Sequence, residues 1–268
     1  MHDMSQIVGA SNVLFITLDT LRYDVARQEL EQGGTPFLAS ILPAGWEERH
    51  APASFTYASH CAFFAGFLPT PTRPGKHERL FALRFAGSET TGANSYCFDT
   101  PDIVSGFSEL GYRTVCIGGV GFFKKQNPLS CVLPSLFQES YWEPAFGVTD
   151  PDSTKQQVAH ARQLLQQKPE QKIFLFMNIS ALHQPNCHYL PGATSDSLAS
   201  HAAALRYIDS QLPPLFAALE QRGSTFVILC SDHGTTYGED GYTGHRLGHE
   251  KVWTVPYAEF LLPQRGRS

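Results

Sequence analysis

Short, uninterrupted apolar runs constrain the fold of this chain more than any other feature. The first run covers residues 13–18 (VLFITL) and ends abruptly at Asp19. Similar runs cover residues 114–117, 173–177, 225–230 and 258–262, and each is followed by polar or turn residues. Continuous apolar strands of this kind are typical of a sheet that is covered on both faces.

Segments with helical spacing lie between these runs. Residues 102–110 precede Gly111, a typical helix stop, and residues 153–167 carry apolar side chains three and four positions apart. Residues 197–219 repeat the pattern, with a kink or a new helix expected at Pro213-Pro214. This alternation predicts an α/β fold with a mostly parallel central sheet and helices on both faces. In such sheets, ligands bind at the carboxyl ends of the strands.

The length and composition suit one domain. With 268 residues, of which 42% are hydrophobic, the chain is long enough to bury a substantial core, and we expect a single domain over residues 1–268. Residues 69–96 and 119–152 mix glycine, proline and aromatic residues, which predicts two long, shaped surface loops. Substrate specificity is expected to reside in these loops.

Charge and cysteine usage narrow the classes of partner. The formal net charge is −5 and the basic residues are dispersed, which argues against a nucleic-acid polymer as partner. The 6 cysteines are widely spaced without a Cys-x-x-Cys pair, a pattern that indicates reduced, buried thiols. The first residues resemble neither a signal peptide nor a membrane span, so we expect a cytoplasmic protein with no membrane partner, although a leader removed from the chain would give the same pattern. The oligomeric state is not predicted.

Polar residues at two of the predicted strand ends are candidate metal ligands. Asp19 follows the first apolar run, and Asp232 and His233, in the string SDHG, follow the run over residues 225–230. A carboxylate oxygen and an imidazole nitrogen are common ligands of divalent metals. Gly234 is expected to let the backbone turn tightly beside them. Each residue on its own could instead be a helix cap or a packed side chain.

A hydroxyl residue before a predicted helix is the candidate nucleophile. In the segment ASFTYASHCAFFAGFLP, Thr56 is best placed to sit in the positive field of a helix N-terminus, which favours an alkoxide and an incoming anion. Ser54, Thr56 and Ser59 also compete as ordinary helix caps, so this role stays open on the residues alone.

Taken in order, these motifs resemble the alkaline phosphatase and sulfatase superfamily. The order is FITLDTLR, TP, TYASHCAFFAGFLP, HQP, SDHG, GH and VP, and it covers most of the chain. The resemblance implies that Asp19, Thr56, Asp232 and His233 surround a divalent metal and that Thr56 is the nucleophile. In the mechanism expected of such a site, the helix N-terminus at Ser59 and His60 binds the charge of the substrate, and His60 could also aid the nucleophile.

Three histidines receive roles from the same resemblance. His183, before Gln184-Pro185, corresponds to a histidine that contacts the substrate oxyanion or a second metal. His245 falls where related sequences place a leaving-group Lys or His, and His249, four residues later, could share a helical face with it. His183, His245 and His249 are therefore the candidate ligands of a second metal. Two-metal members of that superfamily usually carry an Asp-x-x-x-His pair, and none occurs around residues 180–188. The resemblance therefore favours one metal, with His183 and His245 acting directly on the substrate.

Departures from the family pattern shape the functional prediction. Sulfatases carry Cys or Ser, the precursors of formylglycine, where this chain has Thr56, and two adjacent carboxylates where it has Asp19-Thr20. Ala58 replaces the usual Pro of the nucleophile motif. We therefore predict a metal-dependent hydrolase of small phosphate mono- or diesters, with sulfate esters disfavoured and a covalent intermediate on Thr56.

The cofactor and two alternatives complete the prediction. One or two divalent ions are expected, with zinc or manganese favoured by a His ligand and magnesium or calcium as alternatives. A phosphoryl transferase or mutase of the same superfamily is the first alternative function. A metal- or anion-binding member without catalysis is the second.

Overall fold

A computed structural model of the protein describes residues 2–65, 79–82, 95–97 and 102–265. Its strands are β1 (Asn12–Leu18), β2 (Glu47–His50), β3 (Arg79–Ala82), β4 (Ser95–Cys97), β5 (Arg113–Ile117), β6 (Glu139–Tyr141), β7 (Ile173–Ile179), β8 (Thr225–Cys230), β9 (Thr236–Tyr237), β10 (Thr243–Gly244) and β11 (Thr254–Leu262). Its α-helices are α1 (Met4–Ile7), α2 (Tyr23–Glu31), α3 (Pro36–Ile41), α4 (Thr56–Ala65), α5 (Ile103–Glu109), α6 (Pro128–Val132), α7 (Ser153–Gln166), α8 (Leu198–Gln211), α9 (Pro213–Arg222) and α10 (Glu250–Trp253).

The described residues form a central sheet of 7 strands in the order β2-β11-β8-β1-β7-β5-β6. Strands β6, β5, β7, β1 and β8 are parallel to one another, and β11 runs antiparallel to both of its neighbours, β8 and β2. The predicted α/β architecture is therefore confirmed. The central position of β1 explains its uninterrupted apolar sequence, because a strand between two others with both faces covered has no side that meets water.

Each face of the sheet has its own apolar core. Alternate residues of β1 illustrate the division: Leu14 and Ile16 pack with the side that carries α2, α7, α8 and α9, whereas Val13 and Phe15 pack with the side that carries α4 and α5. The second core is rich in phenylalanine, with edge-to-face contacts such as Phe15 to Phe176 and Phe64 to Phe176. Helices thus cover both faces, as predicted.

The boundaries of most predicted elements agree with the structure. The five apolar runs are β1, β5, β7, β8 and β11, and Pro213 ends the predicted long helix by beginning α9, where its missing N–H is tolerated. Residues 119–152 differ from the predicted loop, because they contain the short helix α6 and the edge strand β6. The predicted loop at 69–96 lies largely outside the described residues. The prediction of a single domain over residues 1–268 stays a prediction.

The cysteines follow the predicted pattern only in part. Those at 61, 116, 131, 187 and 230 are free thiols in the described part of the chain. Cys61, Cys116 and Cys230 are buried, as expected, but Cys131 is exposed on α6, because that helix lies at the surface of a segment predicted as a loop. No helix among the described residues has the length and apolar character needed to cross a bilayer.

Candidate active site

The parallel pairing of β1 with β8 brings the candidate carboxylates together. Thr17 of β1 lies opposite Cys230 of β8, so Asp19 and Asp232, each two residues further on, leave neighbouring strands at the same edge of the sheet. The ligand atoms of Asp19, Asp232 and His233 all lie within 4.8 Å of one another. These three residues, here called the Asp-Asp-His cluster, are completely buried.

Each carboxylate of the cluster has one oxygen held by the protein and one without a partner. Asp19 Oδ2 accepts a hydrogen bond from Asn178 Nδ2 at 3.1 Å, and Asp232 Oδ1 accepts from the backbone N–H groups of Thr20 and His233. Asp19 Oδ1 and Asp232 Oδ2 are buried without a hydrogen-bond partner. Because an unpartnered buried carboxylate oxygen is costly, this donor set fits a divalent cation, which would compensate both charges.

The pKa shifts of the two carboxyl groups also fit a site for a divalent cation. Burial, together with the charge of the neighbouring Asp232, raises the pKa of Asp19 above its ordinary value. Burial also raises the pKa of Asp232. Without a compensating cation, both carboxylates therefore hold protons more tightly than exposed carboxylates do.

His233 presents an unprotonated nitrogen to the cluster. Its Nδ1 donates to the carbonyl oxygen of Gly234 at 2.8 Å, which leaves Nε2 without the proton, 3.5 Å from Asp232 Oδ2. Burial lowers the pKa of the ring, so it is neutral at neutral pH, the state that binds metals. Gly234 is needed for close approach rather than for a tight turn, because a Cβ there would lie 2.0 Å from the carbonyl oxygen of Lys251.

Thr56 is the first residue of α4, and its hydroxyl faces the cluster. Its Oγ1 lies 3.4 Å from Asp19 Oδ2 and 3.3 Å from His233 Nε2. The residue is buried. The structure thus brings together the four predicted metal ligands, Asp19, Thr56, Asp232 and His233.

Asn178, a residue that the sequence analysis missed, supports this arrangement. Besides holding Asp19, its Nδ2 lies 3.2 Å from Thr17 Oγ1, and its Oδ1 accepts from the backbone N–H of Val120 at 3.0 Å. Asn178 lies near the carboxyl end of β7, opposite Thr17 of β1. A single amide inside the apolar run IFLFMNI was the signal that could have found it.

Ser59 and His60 lie beneath the cluster, and both are completely buried. Ser59 Oγ donates to the carbonyl oxygen of Asp232 at 2.7 Å, and His60 Nδ1 donates to that of Thr56 at 2.7 Å. His60 Nε2 lies 3.0 Å from Thr17 Oγ1. The polar side-chain atoms of both residues therefore already have partners within the protein. This placement does not support the prediction that Ser59 and His60 bind the substrate.

His245 lies between the other two histidines of the site. Its ring centroid is 4.6 Å from that of His233 and 5.5 Å from that of His183. His183 Nδ1 donates to the carbonyl oxygen of Gln184 at 2.6 Å, which leaves Nε2 free. Burial and the neighbouring positive groups lower the pKa of His245 to about 3.

His249 does not belong to this group. The predicted helical face shared with His245 is wrong, because residues 245–249 are irregular and His249 is the N-cap of α10, accepting from the N–H of Lys251. Its Nε2 faces Asp240 Oδ2 at 3.2 Å instead. Among the described residues, the Asp-Asp-His cluster is the group with metal-ligand spacing, so the structure offers no second cluster built from His183, His245 and His249.

A cavity of ≈ 330 Å³, here called the active-site cavity, opens beside Thr56. Its described lining consists of Thr56, Val120, Gly121, Phe122, Lys124, Asn127, Leu129, Ser130, Val148, His183, His245 and Arg246. Residues 120–130 and 148 belong to the segment predicted to determine specificity. Lys124 and Arg246 were missed, because a single basic residue in an irregular segment has no distinguishing pattern.

The comparisons with known proteins agree with this fold. A family model described as Sulfatase matches residues 11–259. A search of curated proteins finds no match.

Solved structures with the same fold include the periplasmic domain of phosphoethanolamine transferase EptC from Campylobacter jejuni, with a TM-score of 0.64 and 12% identity over 94% of this chain and 79% of that one. The zinc complex of the same domain from Escherichia coli has a TM-score of 0.60 and 12% identity over 95% of this chain and 73% of that one. An alkaline phosphatase superfamily protein from Vibrio parahaemolyticus has a TM-score of 0.64 and 18% identity over 97% of this chain, which spans 63% of its length. At these identities the similarity shows the fold.

Proposed function

Because the chain belongs to the sulfatase family, whose model matches residues 11–259, we propose that it is a metal-dependent hydrolase of small phosphate esters. One observation carries the proposal: the hydroxyl of Thr56, at the start of α4, faces a buried cluster in which two carboxylate oxygens lack partners. The acidic cluster can bind a cation that balances its charge, and that cation can in turn bind an anionic substrate beside the Thr56 nucleophile.

Asp19, Asp232 and His233 would hold the metal, with Thr56 within reach of the same position. A divalent ion there would lower the pKa of the Thr56 hydroxyl and neutralise charge on the phosphoryl group. The mixed oxygen and nitrogen donors favour zinc or manganese over magnesium or calcium.

The remaining catalytic steps are proposed to depend on residues of the chain itself. The Thr56 hydroxyl loses its proton to solvent and Oγ1 attacks phosphorus in line, so that a P–O bond forms to Thr56 while the bond to the leaving alcohol breaks. Thr56, at the N-terminus of α4, and His183 line the same cavity, so the helix N-terminus and the His183 ring are proposed to stabilise charge on the phosphoryl oxygens. Water then hydrolyses the phosphothreonine and regenerates the Thr56 hydroxyl.

His245 is proposed to serve the leaving group. Its low pKa keeps the ring neutral in the free protein, but an anionic phosphoryl group beside it would favour the protonated form. The protonated ring can donate to the departing alkoxide, which leaves as an alcohol. The ring of His245 lies against that of His233, with the two centroids 4.6 Å apart.

Phosphate esters are favoured over sulfate esters because of the nucleophile. Sulfatases use formylglycine, which is made from Cys or Ser, and Thr56 cannot supply it. A threonine alkoxide remains a competent nucleophile toward phosphorus.

A transferase is the second candidate, favoured by the fold shared with two phosphoethanolamine transferase domains. The covalent step on Thr56 would be the same, and an acceptor alcohol would replace water. A member that binds metal or anions without turnover is the remaining alternative. Product analysis with and without an added acceptor alcohol separates hydrolase from transferase.

The test is a panel of phosphate monoesters, phosphodiesters, phosphonates and sulfate esters with the metal-loaded protein, followed by mass spectrometry of quenched reactions. We expect turnover of phosphate esters and a phosphorylated Thr56 peptide. Thr56→Ala should abolish both while metal binding stays measurable, and Thr56→Ser should keep the phosphopeptide. Undiminished activity in Thr56→Ala would remove Thr56 from the nucleophile role.

A cytoplasmic location is kept as a proposal, supported by the free thiols of the described cysteines. Fractionation of cells that produce the full-length protein tests it. Recovery of the protein outside the cytoplasm would overturn it.

A further inference from the structure

Two cations on the wall of the active-site cavity lack partners among the described residues. Arg22, Arg113 and Arg206 are each paired with a carboxylate, but neither Lys124 nor Arg246 makes a side-chain ion pair or hydrogen bond there. Lys124 is half-buried and Arg246 is exposed. These two residues are here called the basic wall.

The backbone holds Arg246 beside the nucleophile. Its N–H donates to the carbonyl oxygen of Ser54 at 2.9 Å, two residues before Thr56. Its φ of 71° lies in the left-handed region, which is unfavourable for a side chain as large as arginine. Strained backbone of this kind persists where the surrounding structure imposes it, and it is concentrated at functional sites.

The segment that leads to Lys124 is hydrogen-bonded to the same edge of the sheet that carries the Asp-Asp-His cluster. It follows the short 3₁₀ helix Gly121–Phe123, and the N–H of Val120 just before that helix binds Asn178 Oδ1. Asn178 in turn holds Asp19. The next residue, Lys125, does not line the cavity, and its Nζ donates to the carbonyl oxygen of Ser140 at 2.6 Å.

The remaining lining of the cavity is suited to a ligand that combines an anionic group with an apolar carbon skeleton. No carboxylate is among the described lining residues, so the basic wall is not neutralised from within the cavity. Val120, Phe122, Leu129 and Val148 supply apolar surface. A volume of ≈ 330 Å³ matches a metabolite-sized ligand.

We propose that the basic wall binds a second anionic group of the substrate, a phosphate or carboxylate on the leaving-group side of the ester. This inference rests on the proposed function for the position of the reacting phosphoryl group at Thr56. This second anionic group forms charge-assisted hydrogen bonds with the Arg246 guanidinium and the Lys124 ammonium, while the carbon skeleton of the substrate packs on the apolar lining. The preferred substrates are small phosphate esters whose alcohol carries its own negative charge.

The test measures binding of three unreactive phosphonates to the metal-loaded protein by calorimetry. Propane diphosphonate and phosphonobutyrate carry a second anionic group at the far end of the chain, as phosphonate and carboxylate respectively, and butylphosphonate carries none. We expect the two ligands with a second anionic group to bind roughly tenfold more tightly than butylphosphonate, because two charge-assisted contacts are added. The ratio between the two identifies which group fits better.

The variants Arg246→Gln and Lys124→Gln should each reduce this preference, and the double variant should bring it close to one. Lys125→Gln is the matched control, because it removes the same charge from the neighbouring residue outside the cavity, and it should keep the preference. Raising the salt concentration should weaken the preference in the unaltered protein.

Equal affinity for all three phosphonates would overturn the inference, as would binding of none of them. So would an equal loss of affinity for all three in the variants, since the two cations would then contact the reacting group instead. Phosphorylation of Thr56 is measured separately. A phosphopeptide without the binding preference refutes the basic wall alone, and the preference without a phosphopeptide refutes the proposed catalysis alone.

Discussion

The Asp-Asp-His cluster and the basic wall lie around one cavity, yet they differ in burial, charge and backbone. The cluster is acidic, completely buried and carried by residues one to three positions beyond the carboxyl ends of β1 and β8. The basic wall is cationic, partly or fully exposed, and carried by Lys124 and Arg246 in irregular segments. Rigid strand ends thus hold the proposed reaction centre, while surface segments supply the contacts that distinguish substrates.

The largest expected effect separates the two regions by chemistry. Asp232→Asn removes one carboxylate charge from the cluster at nearly constant volume, so turnover should fall by about 10³-fold or more, since a bound metal provides several kcal/mol of transition-state stabilisation. Steady-state kinetics on a phosphate ester measure it. Asp24→Asn is the control, because Asp24 is paired with Arg22 and Lys251 outside the cluster. Equal losses in both variants would show that a general charge effect, and not the cluster, is responsible.

The next effect concerns the support of the cluster. Asn178→Leu removes the hydrogen bonds to Asp19 and to the backbone of Val120 without removing a proposed ligand. Metal affinity should fall about 10- to 100-fold, as is usual when a residue that orients a ligand is lost. A competition titration with a chelating dye measures it. Unchanged affinity would show that the strand ends alone position Asp19.

A smaller effect is expected at the basic wall. Arg246→Gln should lower kcat/KM roughly threefold more for an ester with a second anionic group than for a neutral analogue, because one of the two charge-assisted contacts is lost. Metal affinity should not change. A fall in metal affinity would mean that the two regions are not separable, and the comparison between them would fail.

The buried cluster should also cost stability in the metal-free protein. Because the folded-state pKa of Asp19 is raised, ionisation penalises the folded state, and this cost is absent below the ordinary pKa of 3.8 and grows as the pH rises through the folded value. Asp19→Asn should therefore raise the Tm of the metal-free protein by a few degrees above neutral pH, and the gain should shrink in acid. Thermal unfolding at several pH values measures it. A lower Tm above neutral pH would contradict this account of the cluster.

The smallest effect is expected at His249. Because its ring faces Asp240 rather than the cluster, His249→Ala should leave metal stoichiometry and affinity unchanged. Loss of an ion from this variant, measured by elemental analysis, would restore the two-metal prediction.

The same contrast explains what could be predicted from the sequence. Buried parallel strands appear as continuous apolar runs, so Asp19, Asp232 and His233 were recognisable as residues at strand ends. Thr56 was recognisable because a hydroxyl at the start of a small-residue helix has a local signature. These features depend on short-range patterns, which a single sequence contains.

The remaining features depend on long-range contacts. The backbone of Arg246 is held by a hydrogen bond to Ser54, and the segment before Lys124 is held by the Asn178–Val120 hydrogen bond. Neither hydrogen bond has a sequence spacing that identifies it. The spacing of His245 and His249 suggested a helix, but the chain between them is irregular. Ser59 and His60 lie in the right motif, yet their side chains point into the scaffold. Motif position therefore predicted proximity to the site better than it predicted the direction of a side chain.

The central claim is that Asp19, Asp232 and His233 hold one divalent ion beside Thr56. Native mass spectrometry of the protein loaded with zinc or manganese and then dialysed tests it most directly. The account predicts one ion per chain, lost in Asp19→Asn and Asp232→Asn and kept in Asp24→Asn. No retained ion in the unaltered protein, or an ion that persists in both cluster variants, would contradict it.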